Sequence, residues 1–298
     1  MRNASKMNSD ESRVIRAKAH AKLNLSLCIL GRRPDGFHQV ETILHAIDLC
    51  DELTLTPTKG EVKVECNVDI EEETNLCRRS ALLLREATGC RESVHIRLQK
   101  KIPTGSGLAG GSSDAAATLE ALNRLWELGL SKEELAEIAA KLGCDIPFFL
   151  WGGTALGTNR GDMIRPLDSH PRLWFLLAKP EFEVPTAWAY REVDRYPLRQ
   201  PMTEQMLSAL MVGSPQAIAR ALHNDLEEPV MRCHGELAEL KKRLLEAGCL
   251  GAALCGSGSA VFGLAKDRLS AREALKKVEG AAWKAVVESR GARLARLR

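Results

Sequence analysis

A run of small residues in the first half of the chain is the segment best suited to hold an anion. Its members are Pro103, Thr104, Gly105, Ser106, Gly107, Leu108, Ala109, Gly110, Gly111, Ser112 and Ser113. Glycines let the main chain turn its N–H groups toward a ligand, and the helix predicted to follow adds the positive end of its dipole. A glycine-rich turn between a strand and a helix is more often structural. Four glycines and three serines within residues 105–113 nevertheless favour a phosphate-binding loop.

The loop also contains the pattern GxGxxG, which alone is weak evidence, and three common nucleotide-binding motifs do not fit it. A dinucleotide-binding fold needs a second strand and an acidic residue about 20 residues further on, where two helices are predicted instead. A Walker A loop needs a lysine after its last glycine, but Gly111 and Ser112 stand there. The HRD and DFG elements of protein kinases are absent from the sequence. The cation that offsets phosphate charge must therefore come from elsewhere, and Lys22 is a candidate.

Lys22 and Asp145 are the ionisable residues whose surroundings favour chemistry. Alternation over residues 22–29 predicts a half-buried strand that places Lys22 and Asn24 on one face. Asp145 lies in an apolar run, where a carboxylate is costly to bury unless it is paired or used. Two interpretations stay open: an N-cap or turn aspartate before Pro147, or a general base for a substrate hydroxyl, held near an ammonium such as that of Lys22.

Two further segments have both a structural and a functional interpretation, and a third has a structural one. His38 alone is typical of a surface or core histidine, whereas Phe37 and His38 together could stack on a planar ligand and hydrogen-bond to it. The segment 256–259, Gly-Ser-Gly-Ser, is either a hairpin connection or a second backbone contact near phosphate. Asn224 and Asp225 could simply terminate a helix.

Composition excludes several functional classes. The 298 residues suffice for two domains, and 45% hydrophobic and 27% charged residues are ordinary for a soluble globular protein. A formal net charge of +3 argues against a dedicated nucleic-acid binder. No apolar stretch reaches membrane-spanning length, and the polar segment 1–14 predicts a flexible leader rather than a signal peptide. Nine scattered cysteines without a CxxC pair predict reduced core thiols in a cytoplasmic protein.

The pattern of apolar residues predicts a mixture of strands and helices. Beyond residues 22–29, strands are predicted near 52–56, 61–68, 93–98, 173–178, 250–255, 260–265 and 293–297. Helices are predicted near 75–88, from 112–114 onward, and over 131–142, 185–193, 203–211, 215–223, 235–247 and 270–288. The order lacks a strict βαβ rhythm and therefore favours the α+β class. The irregular stretch 157–170 is the predicted domain boundary.

Three segments together resemble the GHMP small-molecule kinases. They are Ala21–Leu25, the loop 103–113 with its continuation to Ala116, and Gly256–Ala260. Other segments resemble the members of this family that phosphorylate an alcohol carrying cytidine diphosphate in the non-mevalonate isoprenoid pathway. These are residues 30–38, 143–149, 153–158 and 224–227. The resemblance covers almost the whole chain from about residue 16.

The resemblance implies an α+β fold of two GHMP domains. Residues 15–165 would form a ribosomal-S5-like α/β domain with a left-handed βαβ unit, against the general rule. Residues 166–298 would form a ferredoxin-like domain. The expected partner is a small molecule with a cytidine diphosphate group, with no nucleic acid or membrane involved. The chain would be a monomer or a homodimer.

The resemblance also implies roles for individual residues. Lys22 and Asp145 would be the catalytic pair, with Asp145 accepting or orienting the substrate hydroxyl. Residues 103–113 would hold the phosphates of ATP, whose charge Mg²⁺ neutralises. Phe37 and His38 would take the cytosine, with Tyr190 as an opposite aromatic wall. The residues implied in substrate binding are Asn24, Phe37, His38, Thr186 and Tyr190.

Four positions depart from the usual family pattern. Phe37 stands where tyrosine is common, Ala109 where glycine is frequent and Cys144 where alanine is frequent. Asp162 stands where glutamate is usual. Ala109 bears on the backbone geometry of the ATP loop. The others are expected to be conservative.

Two rival functions stay open. One is a sister kinase acting on homoserine, mevalonate or a sugar, which would give Phe37 and His38 no role. The other is a GHMP-type sensor that binds ATP and ligand without turnover. Retention of both Lys22 and Asp145 argues against the sensor.

Overall fold

The structure is a computed structural model that describes residues 13–168 and 171–290. The predicted leader, residues 1–14, lies almost wholly outside the described residues, and the strand predicted over 293–297 lies outside them entirely. In the described part of the chain, no helix is long and apolar enough to cross a membrane.

The described residues form eleven strands and ten helices, which are intermixed along the chain. The strands are β1 Ile15–Arg32, β2 His38–Thr58, β3 Lys63–Cys66, β4 Ser93–Gln99, β5 Thr154–Thr158, β6 Met163–Pro166, β7 Trp174–Lys179, β8 His223–Asn224, β9 Gly251–Leu254, β10 Val261–Ala265 and β11 Trp283–Glu288. The helices are α1 Leu76–Thr88, α2 Gly110–Leu125, α3 Lys132–Ala140, α4 Ile146–Trp151, α5 Thr186–Val193, α6 Thr203–Val212, α7 Pro215–Ala221, α8 Glu227–Cys233, α9 Gly235–Glu246 and α10 Arg268–Lys277. This mixture matches the predicted α+β class.

The first sheet is built around a long antiparallel pair, β1 and β2. Its strand order is β3-β4-β2-β1-β8, with β5 paired to β2 and β6 to β5. Strands β3 and β4 run parallel and flank α1, so they form the predicted βαβ unit. The predicted left-handed crossover of that unit remains a prediction. The register of β1 against β2 shifts between His20 and Lys22 and again between Asn24 and Ser26.

The second sheet has the strand order β11-β7-β10-β9 and is antiparallel throughout. Helices lie between β7 and β9 and between β10 and β11 along the chain. This βαββαβ sequence with an outer fourth strand is the ferredoxin-like arrangement expected for the C-terminal half. The short strand β8 nevertheless pairs with β1 in the first sheet. The predicted boundary at residues 165 and 166 stays a prediction.

Strand β1 is buried on both faces from Ala19 to Ile29, so the prediction of residues 22–29 as half-buried is wrong. Its apolar residues enter three hydrophobic cores in succession: Ile15 to Ala19 the first, Ala21 to Leu25 the second, and Leu27 with Ile29 the third. The polar residues of the opposite face, including Lys22 and Asn24, are covered as well. Alternation in the sequence reports two chemically different faces but not whether the polar face is exposed.

The helix predicted over 270–288 is also wrong. Helix α10 ends at Lys277, a glycine in the left-handed region follows at Gly280 (φ 75°), and β11 then completes the second sheet. In β11, Trp283, Ala285 and Val287 pack on the second core. The sequence pattern of α10 and of the half-buried strand β11 was thus interpreted as one continuous helix. Helices α4 and α8, six and seven residues long, were not predicted.

All nine cysteines are free, as predicted. The prediction that these cysteines lie in the core is only partly confirmed. Cys28, Cys77, Cys249 and Cys255 are buried, whereas Cys233 is exposed and the other four are half-buried.

Candidate active site

A cavity of about 900 Å³ lies where the two halves of the chain meet. Its wall comes from β1, the loop before α2, the start of α4, helix α5 and the turn at residues 256–257. The wall includes these predicted residues: Lys22, Asn24, Phe37, His38, Pro103, Thr104, Gly105, Ser106, Gly107, Ala109, Gly110, Gly111, Ser112, Asp145, Thr186 and Tyr190. Segments far apart in sequence are therefore brought to one place.

Two predicted loop residues do not line this cavity. Leu108 is fully buried in the second core. Ser113 is also buried, and its Oγ donates a hydrogen bond of 2.6 Å to the main-chain oxygen of His20. Their side chains therefore anchor the loop and helix α2 to the protein rather than facing a ligand.

Helix α2 begins at Gly110, somewhat earlier than predicted, and its N-terminus is open. The N-cap residue Ala109 adopts a left-handed conformation, φ 56° and ψ 38°, and makes no side-chain capping bond. The first N–H groups of a helix have no intrahelical acceptor. Because no side chain caps them here, these groups and the helix dipole can serve an anion.

Backbone hydrogen bonds hold the loop from both sides. The N–H of Lys22 donates to the oxygen of Leu108 (3.2 Å), and the N–H groups of Ser259 and Ala260 donate to the oxygens of Gly105 (3.0 Å) and Ser106 (3.1 Å). The Gly-Ser-Gly-Ser turn therefore contacts the phosphate loop itself. Gly107, at φ 76°, sits so close to the Cys255 carbonyl that no Cβ would fit there.

Lys22 is buried and fixed by neutral acceptors. Its Nζ donates to Asn24 Oδ1 (2.7 Å) and to the main-chain oxygen of Gly107 (2.9 Å). Asn24 Nδ2 in turn donates to Thr42 Oγ1 (2.8 Å). An ammonium has three N–H donors, so one remains for a group in the cavity. The predicted adjacency of Lys22 and Asn24 is confirmed.

Asp145 occupies the N-cap position of α4, but its side chain makes no capping hydrogen bond. Its carboxylate is about half exposed, and Oδ2 lies 4.0 Å from Lys22 Nζ. Asp145 thus stands at the N-cap before Pro147, as the structural interpretation predicted. The carboxylate itself is directed to the ammonium, as the functional interpretation required.

At the other end of the cavity, His38 and Tyr190 are in direct contact, with ring centroids 5.1 Å apart. His38 Nε2 lies 2.7 Å from Asp194 Oδ1 and donates its N–H to that carboxylate. Burial raises the pKa of the Tyr190 hydroxyl, so the phenol stays neutral. No planar ligand fits between rings this close, so a base stacked on Tyr190 would need another partner on its far side.

Phe37 is half exposed, with the guanidinium carbon of Arg160 5.0 Å from its ring centroid. Asp162 holds that guanidinium through an ion pair of 2.6 Å. Asp162, which stands where glutamate is usual in the family, therefore has a structural role. Thr186 Oγ1 lies 2.9 Å from Ser257 Oγ and links α5 to the turn at the loop.

Several charged residues of this wall were not predicted from the sequence. Asp194, Arg32, Arg160, Lys100 and Asp114 all line the cavity. Lys100 and Asp114 flank the loop in sequence, which was an available signal. Asp194 lies 156 positions from its partner His38, and nothing local points to it.

No group of three or more His, Cys, Asp or Glu side chains suited to a metal occurs within residues 13–168 and 171–290. Mg²⁺ at nucleotide sites uses one or two carboxylates together with substrate phosphates and water. Of the acidic residues on the wall, Asp114 is paired with Lys100 and Asp194 with His38. Asp145, 4.0 Å from Lys22 Nζ, is the most exposed of these three wall carboxylates, and one such carboxylate fits a nucleotide-borne Mg²⁺.

Two family models match the chain. Residues 75–153 match the N-terminal domain of GHMP kinases, and residues 206–285 match their C-terminal domain. The matched residues include the phosphate loop, Asp145 and the turn at 256–259.

Curated relatives extend the match to most of the chain. It is 42% identical over 265 residues to the 4-diphosphocytidyl-2-C-methyl-D-erythritol kinase of Symbiobacterium thermophilum, covering 88% of this chain and 94% of the relative. It is 45% identical over 266 residues to the enzyme of that name from Pelotomaculum thermopropionicum, covering 87% and 92%.

Solved structures agree. A crystal structure of 4-(cytidine 5'-diphospho)-2C-methyl-D-erythritol kinase superposes with a TM-score of 0.79 at 35% identity, over 93% of this chain and 99% of the other. Homoserine kinase from Cytophaga hutchinsonii superposes with a TM-score of 0.76 at 20% identity, over the full length of both chains, and shows the fold alone. The chain therefore belongs to the GHMP kinases and, among them, to the 4-diphosphocytidyl-2-C-methyl-D-erythritol kinase family.

Proposed function

We propose that this chain transfers the γ-phosphoryl group of ATP to the 2-hydroxyl of 4-diphosphocytidyl-2-C-methyl-D-erythritol, a step of the non-mevalonate isoprenoid pathway in the cytoplasm. The observation that carries the proposal is the pairing of Lys22 Nζ with Asp145 Oδ2 at 4.0 Å inside one cavity. The phosphate loop and the wall formed by His38 and Tyr190 line that same cavity. The family supplies the identity of the nucleotide and of the alcohol.

ATP would place its phosphates on residues 103–113, at the uncapped N-terminus of α2. Asp145 would help to hold a Mg²⁺ ion carried by the nucleotide. When bound, it neutralises charge on the transferring group. The backbone clamp from β1 and from residues 256–260 keeps the loop in place before ATP arrives, so little ordering is needed at the moment of transfer.

Asp145 would accept the proton of the 2-hydroxyl as that oxygen attacks the γ-phosphorus. The bond from the γ-phosphorus to the β–γ bridging oxygen breaks, and ADP leaves. Lys22, already fixed by Asn24 and Gly107, directs its remaining N–H toward Asp145 and the reacting oxygens. Its positive charge stabilises the negative charge that develops there.

The cytosine would stack on Tyr190 on one side and Phe37 on the other, with the imidazole of His38 at its edge. The direct contact of His38 with Tyr190 leaves no room for a base between those two rings, and Phe37 is the other aromatic side chain of the cavity wall that the described residues offer. The carboxylate of Asp194 fixes the tautomer of His38, because Nε2–H must face the carboxylate. Nδ1 is then the acceptor that is left for an amino group of the base.

The experiment is an ADP-release assay with ATP, Mg²⁺ and a panel of alcohols. Turnover is expected with 4-diphosphocytidyl-2-C-methyl-D-erythritol and not with homoserine, mevalonate or a sugar. Turnover with one of the latter and none with the cytidine compound would overturn the substrate assignment. Binding of both ligands without ADP release would identify a sensor.

Two variants test the roles within the same assay. Asp145→Asn should abolish turnover while ATP still binds, and unchanged activity would remove Asp145 from the mechanism. His38→Ala should mainly raise the KM for the cytidine substrate. A selective loss of ATP binding in that variant would contradict its placement.

A further inference from the structure

A buried cluster of three charged side chains lies directly behind the phosphate loop. Lys100 Nζ is 2.5 Å from Asp51 Oδ2 and 2.7 Å from Asp114 Oδ2. The side chains are 6%, 0% and 4% exposed, respectively. The roles proposed above for Lys22 and Asp145 leave this cluster unused. Burying three charges costs desolvation free energy, so the position of this cluster needs an explanation.

The cluster joins both ends of the loop to the first sheet. Asp51, on β2, accepts hydrogen bonds from the N–H groups of Lys101 (2.5 Å) and Ile102 (2.8 Å), immediately before the loop. Asp114 lies in the first turns of α2, immediately after it. Lys100 Nζ also lies 3.1 Å from where a Cβ on Gly110 would stand. Any change in the cluster therefore reaches the first N–H groups of α2.

The cluster is unbalanced in charge and in hydrogen bonds. Two carboxylates share one ammonium, and Asp114 Oδ1 is buried without a hydrogen-bond partner. Burial raises the pKa of Asp114 to about 7, against the opposing pull of Lys100. Burial alone would lower the pKa of Lys100, but Asp114 and Asp51 outweigh it and raise that pKa. The cluster thus carries no net charge with a proton on Asp114 and one negative charge without it.

A further titratable group beside Asp114 is Cys77 of α1, whose pKa burial raises. That thiol stays protonated and contributes no charge. A net negative charge beneath the loop repels nucleotide phosphates through a poorly screened interior. Binding of those phosphates must then favour the protonated form of Asp114, since linkage is reciprocal.

We propose that Asp51, Lys100 and Asp114 position both ends of the phosphate loop, and that Asp114 takes up a proton when nucleotide phosphates bind there. The proposal rests on the proposed function only for the identity of the nucleotide. It concerns positioning residues, since none of the three needs to touch the reacting atoms.

The first test is titration calorimetry with Mg²⁺ and a non-hydrolysable ATP analogue, in two buffers of different ionisation enthalpy. At pH 7 the wild type should take up a measurable fraction of a proton per nucleotide beyond the analogue's own change, because a pKa raised to about 7 leaves Asp114 partly ionised there. Asp114→Asn should lose this uptake. Glu120→Gln, which removes another partly buried acid of α2, should keep it. Equal uptake in wild type and Asp114→Asn would overturn the proposal.

A measurement on the wild type alone covers the case in which Asp114→Asn fails to fold. Uptake should be small at pH 5.5 and should increase as the pH is raised through 7, because the free carboxyl group loses its proton there while the nucleotide-bound form keeps it. An absence of uptake at every pH from 5.5 to 8.5 would overturn the coupling. Binding of the analogue needs no turnover, so a failed substrate assignment leaves this test intact.

The second test is kinetic and addresses positioning. Lys100→Met should raise the KM for ATP about tenfold or more while the KM for the alcohol changes less than threefold. Lys101→Met is the matched control, because the Lys101 side chain is exposed and pairs with Glu52 at the surface. Between pH 6 and 8 the wild-type KM for ATP should rise, and Asp114→Asn should remove most of that rise. An equal rise in both proteins, or an unchanged KM in Lys100→Met, would refute the inference.

Discussion

At the scale of single residues, the site depends on how one buried ammonium is held. Lys22 is surrounded by neutral oxygens of Asn24 and Gly107 rather than by a close carboxylate. Neutral acceptors fix its direction without neutralising its charge. The full charge therefore remains available to the reacting phosphoryl group, with Asp145 at 4.0 Å as the nearest ionic partner among the described residues.

Asn24 was predicted as a substrate contact, but both ends of its amide are engaged within the protein. We expect Asn24→Ala to lower kcat about tenfold or more, because Lys22 loses one of its fixed acceptors, and to change the KM for the alcohol less than threefold. Steady-state kinetics with both substrates measures this. A raised KM with unchanged kcat would instead restore Asn24 as a direct substrate contact.

Ala109 carries the strain of the ATP loop. Its φ of 56° places a Cβ in the left-handed region, which costs an L-residue about 1–2 kcal/mol and glycine much less. Ala109→Gly should therefore raise the free energy of unfolding by about 1 kcal/mol, as measured by urea denaturation. Ala136→Gly, inside helix α3, should lower it by about 1 kcal/mol. A loss of stability in Ala109→Gly would show that its methyl group contributes more than its strain costs.

At the scale of elements, the connection between β7 and α5 lies across the phosphate loop. Thr104 Oγ1 donates to Glu183 Oε1 (2.8 Å), and Ser259 Oγ donates to the Phe182 oxygen (2.6 Å). Glu183 also occupies the space that a side chain on Gly105 would need. An acidic side chain thus rests on the segment that is proposed to receive phosphates.

Removing that charge should favour nucleotide binding. We expect Glu183→Gln to lower the KM for ATP about twofold to fivefold at low ionic strength, and salt should shrink the difference because the carboxylate is exposed. Glu181→Gln, two residues away and also exposed, is the control and should have little effect. A higher KM for ATP in Glu183→Gln would mean that Glu183 supports the loop rather than opposing the phosphates.

Local patterns predicted most elements and the parts of the site that depend on them. The alternation around Lys22 and Asn24 placed them side by side, and the glycines and serines located the phosphate loop. Pairings across long sequence distances escaped prediction, such as His38 with Asp194 and Lys100 with Asp51. Their geometry depends on which strands become neighbours, and periodicity carries no such information.

The same limit explains the errors in the elements. Trp283, Ala285 and Val287 alternate as a strand should, but β11 forms because β7 offers an open edge. The half-buried prediction for residues 22–29 failed because the phosphate loop at Gly107 and the turn at Gly256 cover the polar face at Lys22 and Asn24. Tertiary packing decided both cases, as it often overrides local preference.

At the scale of the whole molecule, the two halves are interlocked rather than merely adjacent. Strand β1 packs in all three hydrophobic cores, and β8 from the second half pairs with it. The second core joins Leu23 and Leu25 of β1 to Phe175 and Phe262 of the other sheet. The cavity at this junction is therefore fixed by the same packing that stabilises the fold.

The pH dependence of stability should reflect two buried groups with opposite effects. Burial, and to a smaller extent the charge of Arg290, lowers the pKa of His20 from 6.5 to about 4. Between these two pH values the unfolded chain binds more protons than the folded chain, so the free energy of unfolding rises with pH. Asp114, whose pKa burial raises to about 7 from 3.8, binds more protons when folded, so its contribution falls with pH over that range. These two contributions to the free energy of unfolding should therefore nearly cancel in the wild type between pH 5 and 7. Urea denaturation of Asp114→Asn should show stability increasing by about 2 kcal/mol from pH 5 to 7, and His20→Gln a similar decrease. Parallel profiles for both variants would contradict the assignment of these slopes.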